Sequence, residues 1–232
     1  MLAAAIHIHC GDCAGGRARE AGLPGEVVVW RDSAAVGPCA GDPAEHRRLR
    51  AAWWQVDPAR MQDPHTLPRD RPWVLWFGPD PWEQVALLEL LAGAPEDGGA
   101  VSLVPLERGV GETPAAALAP RYERRGPAPE RGPLRRLWQE FCADDRAALT
   151  RAAAELRGHP RLPHLAAALA RVLADRRDGL TQRRVRALVR GGVVEVPELM
   201  RRLRALEAPM HGAWYGDVVV ARLRDAAVAD LA

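Results

Sequence analysis

Residues 4–32 run through four short stretches of different character: AAIHIHC, GDCAGG, RAREAGL and EVVVWRD. The first alternates small, apolar and polar residues, as a strand does. Gly11 to Gly16 form a turn, and RAREAGL is a short helix stopped by Gly22 and Pro24. EVVVW is β-branched and predicts a strand buried on both faces. Strand, glycine turn, helix and strand within about 30 residues imply a βαβ unit with parallel strands.

The alternation continues. DPAEHRRLRAAWWQ, residues 42–55, starts with a capping Asp42 and with Pro43 in the first turn. A Pro-punctuated loop follows, then the strand PWVLWFG (72–78). PDPWEQVALLELLAG (79–93) predicts a helix capped by Asp80, led by Pro81 and ended by Gly93. AVSLVPL (100–106) is a fourth strand. The expected fold is therefore α/β, a Rossmann-like open parallel sheet of about four strands over residues 1–120. GPAPERGP makes residues 121–133 a linker by composition. Residues 134–232 predict an α-helical region with helical spacing over 134–158, 162–176, 178–192, 196–206 and from about 217.

Composition bounds the chemistry. The 232 residues contain no lysine, so all 32 cations are arginine. That excludes a lysine Schiff base and a lysine-bearing phosphate loop. Four cysteines are too few for a disulfide framework and read as free thiols. No apolar run approaches the ~18 residues of a membrane span, and MLAAAIHIHC lacks a basic leader. A cytoplasmic protein with no membrane partner is the expectation. The net charge of +2 hides an asymmetry: 10 arginines against 16 acids in 1–120, and 22 against 14 in 121–232. An acidic half and a basic half can dock on each other, or the basic half can meet a polyanion.

Several blocks resemble a bacterial family defined as domain of unknown function 1835. They are His7 with Gly11 and Asp12, then WRDSAAVGP with Arg31, Asp32, Gly37 and Pro38, then WFGPDPWEQ with Gly78, Glu83 and Gln84. DGLTQRRVRALVRGG and WYGD resemble the helical segment that commonly accompanies that domain. Together the blocks span most of the chain. The family's usual Ser after Gly-Asp is Cys13 here. The resemblance implies an arrangement of blocks, not a reaction.

Topology identifies the place to look. Ligands of open parallel sheets bind beyond the carboxyl ends of the strands. Three blocks converge there: His7 to Gly16, Arg31 to Cys39, and Phe77 to Gln84. Gly11-Asp12-Cys13 reads either as an anion cradle at a helix N-terminus or as a tight turn with Asp12 as cap. HIHC with CxxC offers zinc-type donors, but strand geometry puts His7 and His9 on one face and Cys10 on the other, which disfavours a metal site. Cys13 could act as a nucleophile, with His7, His9 or His46 as base and Asp12 or Asp32 as orienter. Asp32 occupies the place where such folds hold a ribose hydroxyl, unless Arg31 pairs with it. Gly37 reads as turn chemistry. Gly78 precedes Glu83, which reads as a first-turn capping carboxylate, and Gln84 could bond a base or amide. Trp53 and Trp54 cannot both face inward, so one is expected to line a cleft or an interface.

The expected ligand is small and anionic, phosphorylated or nucleotide-like, held between the acidic half and arginines of the helical half. The alternative is a DNA- or protein-binding regulator using the four arginines of 183–190, a reading that the ordinary buried stripe of that helix does not favour.

Overall fold

The computed structural model describes residues 4–95, 100–207 and 216–230. Five strands form one sheet: β1 (Ile6–Cys10), β2 (Glu26–Trp30), β3 (Trp73–Trp76), β4 (Val101–Leu103) and β5 (Gly126–Pro127). Their order is β2-β1-β3-β4-β5. The first four are parallel and β5 is antiparallel to β4. The α/β expectation holds, with one strand more than expected. That strand lies in the segment read as a linker. Pro127 and Gly126 pair with Ser102 and Leu103, and Ala128 N donates to Val101 O at 2.9 Å. Proline is tolerated there because an edge strand leaves one side unpaired.

The helices of the first half are α1 (Asp12–Ala21), α2 (Pro43–Trp54), α3 (Pro81–Gly93) and α4 (Leu118–Glu123). Strand periodicity sorts the sheet's two faces. Ile6, Ile8, Trp30, Trp73, Leu75, Val101 and Leu103 join the main core. Val74, Trp76 and Val104 join a smaller core with Ala14, Val110 and Leu118. His7 and His9 share that second face, against Trp76 and Tyr122. β2 is not buried throughout, as its β-branched run implied. It is the sheet's edge, so Glu26 is exposed and only Val29 and Trp30 are buried. A side chain covers the edge: Gln62 Nε2 donates to Val29 O at 2.7 Å, and its Oε1 accepts from Arg31 N at 2.7 Å.

α3 is the central helix, buried on nearly every side. It packs on α5 (Arg131–Cys142) and α7 (Leu165–Asp178) as well as the sheet. The periodic stretch 134–158 is two helices, α5 and α6 (Arg146–Glu155). Asp144 takes a left-handed turn at φ 52°, and Asp145 restarts the helix by accepting from Ala148 N at 3.0 Å. α8 (Leu180–Arg190), α9 (Val196–Glu207) and α10 (Asp217–Ala229) follow, with α8 and α9 both packed on α10. Their buried residues, from Val185 to Ala227, belong to the same core as the sheet's main face. The two halves therefore share one apolar interior, at about 1.5–3 kcal/mol for each large aliphatic side chain removed from water. No helix of the described residues is long and apolar enough to cross a membrane.

Candidate functional site

The chain leaves β1 to one side for β2 and returns to the other side for β3. The carboxyl ends of β1 and β3 therefore diverge, and such a switch point leaves a crevice for a ligand. An open cleft of about 1370 Å³ lies there. It is lined by Cys10 to Cys13 after β1, Arg31 and Asp32 after β2, and Asp80, Trp82 and Glu83 after β3. Trp54, Arg60 and Gln62 form another wall. The starts of α9 (Val196, Pro197) and α10 (Gly216 to Val219) close the far side.

Gly11 carries φ 80°, a conformation that disfavours side chains, and its N–H bonds Trp30 O at 2.8 Å. That bond ties the turn to β2 as α1 begins. No side chain caps α1. Asp12, read as one possible cap, is the first residue inside the helix and instead pairs with Arg31, Nη2 to Oδ1 at 2.7 Å. Both are exposed to the cleft. The uncapped first turn leaves backbone N–H groups and the positive helix end facing the crevice.

Asp32 reaches the place expected for a ribose-binding carboxylate, but its oxygens are already engaged. Arg50 donates from Nε to Oδ2 at 2.8 Å and from Nη2 to Oδ1. Trp54 Nε1 and Ser33 N each donate to Oδ1 at 2.8 Å. Burial pushes this carboxyl up, but the Arg50 hydrogen bonds and charge, with Trp54 and Ser33, outweigh it and hold it below the usual range. Arg50 also bonds the carbonyls of Ser33, Val36 and Pro38. Asp32 thus organises the loop behind the cleft. Gly37, in that loop at φ 76°, lets the ring of Trp53 approach, and of the two neighbouring tryptophans Trp54 is the one that lines the cleft.

The third wall holds a carboxyl pair. Asp80 caps α3 by accepting from Glu83 N at 2.9 Å, and Glu83 Oε2 accepts from Gly78 N. Burial raises Asp80 to about 6. Burial, and then the charge of Asp80, push Glu83 well above the carboxylate range. Both carboxyls therefore hold their protons more tightly than exposed ones do. Gly78 lets two loops close on this pair, since a Cβ there would lie 2.7 Å from Gly109 N. Gln84 does not face a ligand: its Nε2 donates to Gly78 O at 2.6 Å and it is buried.

His7 is not in the cleft. It lies under the opposite sheet face, where Trp76 Nε1 donates to its Nδ1 at 3.1 Å and Nε2 meets Pro24 O at 3.1 Å. Burial lowers its pKa, and lowers that of His9 to about 3. Both stay neutral, packed against Trp76. Cys13 is exposed beside Gly111. His46 lies apart from it in a second cavity of about 220 Å³, 3.4 Å from Glu89. The nucleophile arrangement is therefore not assembled. Among the described residues, no three His, Cys, Asp or Glu side chains form a group that could hold a metal ion.

The helical half supplies one arginine to the cleft, Arg222, rather than a basic wall. It donates to Trp53 O at 3.1 Å and stacks 5.5 Å from the ring centre of Trp54. Arginines of α8 are engaged elsewhere: Arg184 with Glu207 and Arg186 with Asp230. Sequence reasoning placed Asp80 and Trp82 at the strand ends, within Phe77 to Gln84, without a site role, and did not bring Arg60, Gln62, Asp217 or Arg222 there. Asp80 carried a signal, because Asp-Pro-Trp-Glu is a capping sequence placed at a strand end. The others arrive through tertiary contacts and have no local signature.

No family model and no curated protein matches the chain.

Proposed function

We propose that the cleft at the strand ends binds a small phosphorylated or nucleotide-like ligand. The observation that carries this reading is the charge arrangement around the crevice. Asp12 is offset by Arg31 and Asp32 by Arg50. The raised pKa values of Asp80 and Glu83 reduce the negative charge of that wall, and Asp217 faces Arg60 and Arg222 across the crevice. With the side chains balanced, the starts of α1, α9 and α10 supply the remaining field, which favours an anion. Trp54 and Trp82, with ring centres 6.3 Å apart, offer apolar faces for a planar ring. A proton held on this carboxyl pair lets it donate to, as well as accept from, a ligand hydroxyl.

The resemblance to the domain of unknown function 1835 family belongs to the same proposal: its blocks supply Gly11, Asp12, Arg31, Asp32, Gly78 and Glu83 around or beside this crevice.

The test is a thermal-shift panel of nucleotides, sugar phosphates and their dephosphorylated counterparts, run with duplex DNA at low ionic strength. A phosphorylated compound is expected to raise Tm in proportion to the logarithm of its concentration, while its dephosphorylated form does not. Arg222→Ala should weaken the response. A flat panel together with a salt-dependent shift on DNA would overturn the proposal in favour of a regulator that uses the helical half.

A further inference from the structure

The strand-end cleft has an apolar wall that its charge arrangement leaves unused. Among the described residues, α9 lines the cleft with Val196, Pro197 and Met200 alone. The charged residues of this helix pair elsewhere: Glu198 with Arg201 and Arg202, Arg204 with Glu112, and Glu207 with Arg171. Leu199 and Leu203 enter the core. Val196 and Met200, one helical turn apart, lie at the margin of that core, half-buried against it and bordering the cleft.

Two exposed valines extend the wall. Val56 follows the left-handed Gln55 that ends α2, and it is 39 % exposed. Val218 lies in the first turn of α10 and is 51 % exposed, although Val219 and Val220 beside it are buried. Both valines line the cleft. An exposed β-branched residue in a helix contributes little to the fold, because it lowers helix propensity and leaves about half its surface in water. Polar residues border the patch: Arg60 and Gln62 on either side of Met61, and Asp217 beside Val218. An apolar patch with a polar rim marks a ligand groove. The size agrees, since about 1370 Å³ exceeds the roughly 300–1,000 Å³ of ordinary small-ligand sites.

We propose, building on the anion site above, that the phosphorylated ligand carries an aliphatic chain, its phosphate at the strand ends and its chain along Val56, Met61, Val196, Met200 and Val218. A second polar group would find no donor or acceptor side chain on α9. A purely apolar molecule would leave the helix starts at the other end of the cleft without a partner. A phosphate joined to a chain satisfies both ends at once.

Calorimetric titration of the full chain tests this with inorganic phosphate and with butyl, hexyl and octyl phosphate, each below its micellar concentration. Octyl glucoside supplies the same chain without the anion. Affinity should rise about three- to fourfold for each added methylene that leaves water. Octyl glucoside should bind at least about tenfold more weakly than octyl phosphate. In the double variant Val56→Thr, Val218→Thr, hydroxyls replace two methyl groups at exposed positions, where substitutions change stability little. Its affinity for octyl phosphate should fall by about fivefold or more. Phosphates and nucleotides that bind equally well whatever their chain would overturn the proposal and leave the anion site standing. If no phosphate binds, both fall together. Octyl glucoside binding as tightly as octyl phosphate, or a double variant with the wild-type dependence on chain length, would also overturn it. So would a wild-type chain that sediments as a dimer, binds no octyl phosphate and becomes a monomer in the double variant, which would assign the wall to a second copy. The wild-type series decides the matter even where the variant does not fold.

Discussion

Arg50→Met is the substitution that most directly tests how the cleft is held. Arg50 is fully buried and uses all five guanidinium N–H donors. Two go to Asp32 and three to the carbonyls of Ser33, Val36 and Pro38. Methionine fills much of the volume but supplies no donor. It leaves Asp32 buried with only Trp54 and Ser33 as partners, and it orphans three carbonyls. Removing one partner of a buried pair costs about 3–5 kcal/mol. For a domain of this size that is a fall in Tm of roughly 6–20 °C. Arg50→Lys keeps the charge, but its single nitrogen cannot reach acceptors on several sides, so an intermediate loss is expected. Adding Asp32→Asn to Arg50→Met should restore part of the stability, because the uncompensated charge goes while the orphaned carbonyls remain. The coupling is expected to be about 1–3 kcal/mol. Urea unfolding followed by tryptophan fluorescence measures all four chains. An Arg50→Met loss below about 1 kcal/mol would refute the reasoning. Asp32 would then be a solvated carboxylate, free to bind a ligand directly.

Two further outcomes follow from the Asp80–Glu83 wall. Folding raises the Asp80 pKa from 3.8 to about 6, so the folded chain keeps a proton that the unfolded chain releases. The stability this proton provides is full below about pH 4 and is lost as pH rises through about 6. Asp80→Asn removes that titration, so between pH 4 and pH 8 the variant should gain about 1–3 kcal/mol relative to wild type, the range allowing for partial solvent access. A difference that stays flat across that range, measured by urea unfolding at each pH, would contradict the raised Asp80 pKa. Gly78→Ala forces a Cβ to within 2.7 Å of the Gly109 backbone, which cannot swing away as a side chain can. It should cost about 1–3 kcal/mol by overpacking and weaken any ligand-induced shift in Tm, and a neutral result in both readouts would remove the close loop contact from the account.

What could be read from the chain was what local chemistry determines. Asp42 and Asp80 cap helices as their Asp-Pro sequences imply, and the short β-branched and apolar runs pair as parallel strands. From the expectation of parallel strands came the place to look, since ligands of open parallel sheets bind beyond the strands' carboxyl ends. Two kinds of feature were not legible. One is pairing choice: nothing local says that Asp12 meets Arg31 while Asp32 meets Arg50, because both arginines are within reach of a strand-end acid. The other is sheet position. EVVVW reads the same at an edge as in the middle, and GPAP reads as a linker although it closes the sheet as β5.

The same distinction explains why Asp80 was seen and still missed. A capping sequence reports that a helix begins, and it reports nothing about the solvent around the cap. On an exposed helix, Asp-x-x-Glu is a pair of ionised carboxylates that complement the dipole. Here the helix begins at the carboxyl end of β3, and Gly78 and Gly109 bring two loops onto the pair. Desolvation then turns a structural motif into two carboxyls with raised pKa values facing the crevice. The glycines permit the burial that contributes most, and the charge of the neighbouring acid adds to it. Gly78→Ala should therefore lower the Asp80 pKa towards its ordinary value as the loops separate, a shift readable in the pH dependence of stability described above.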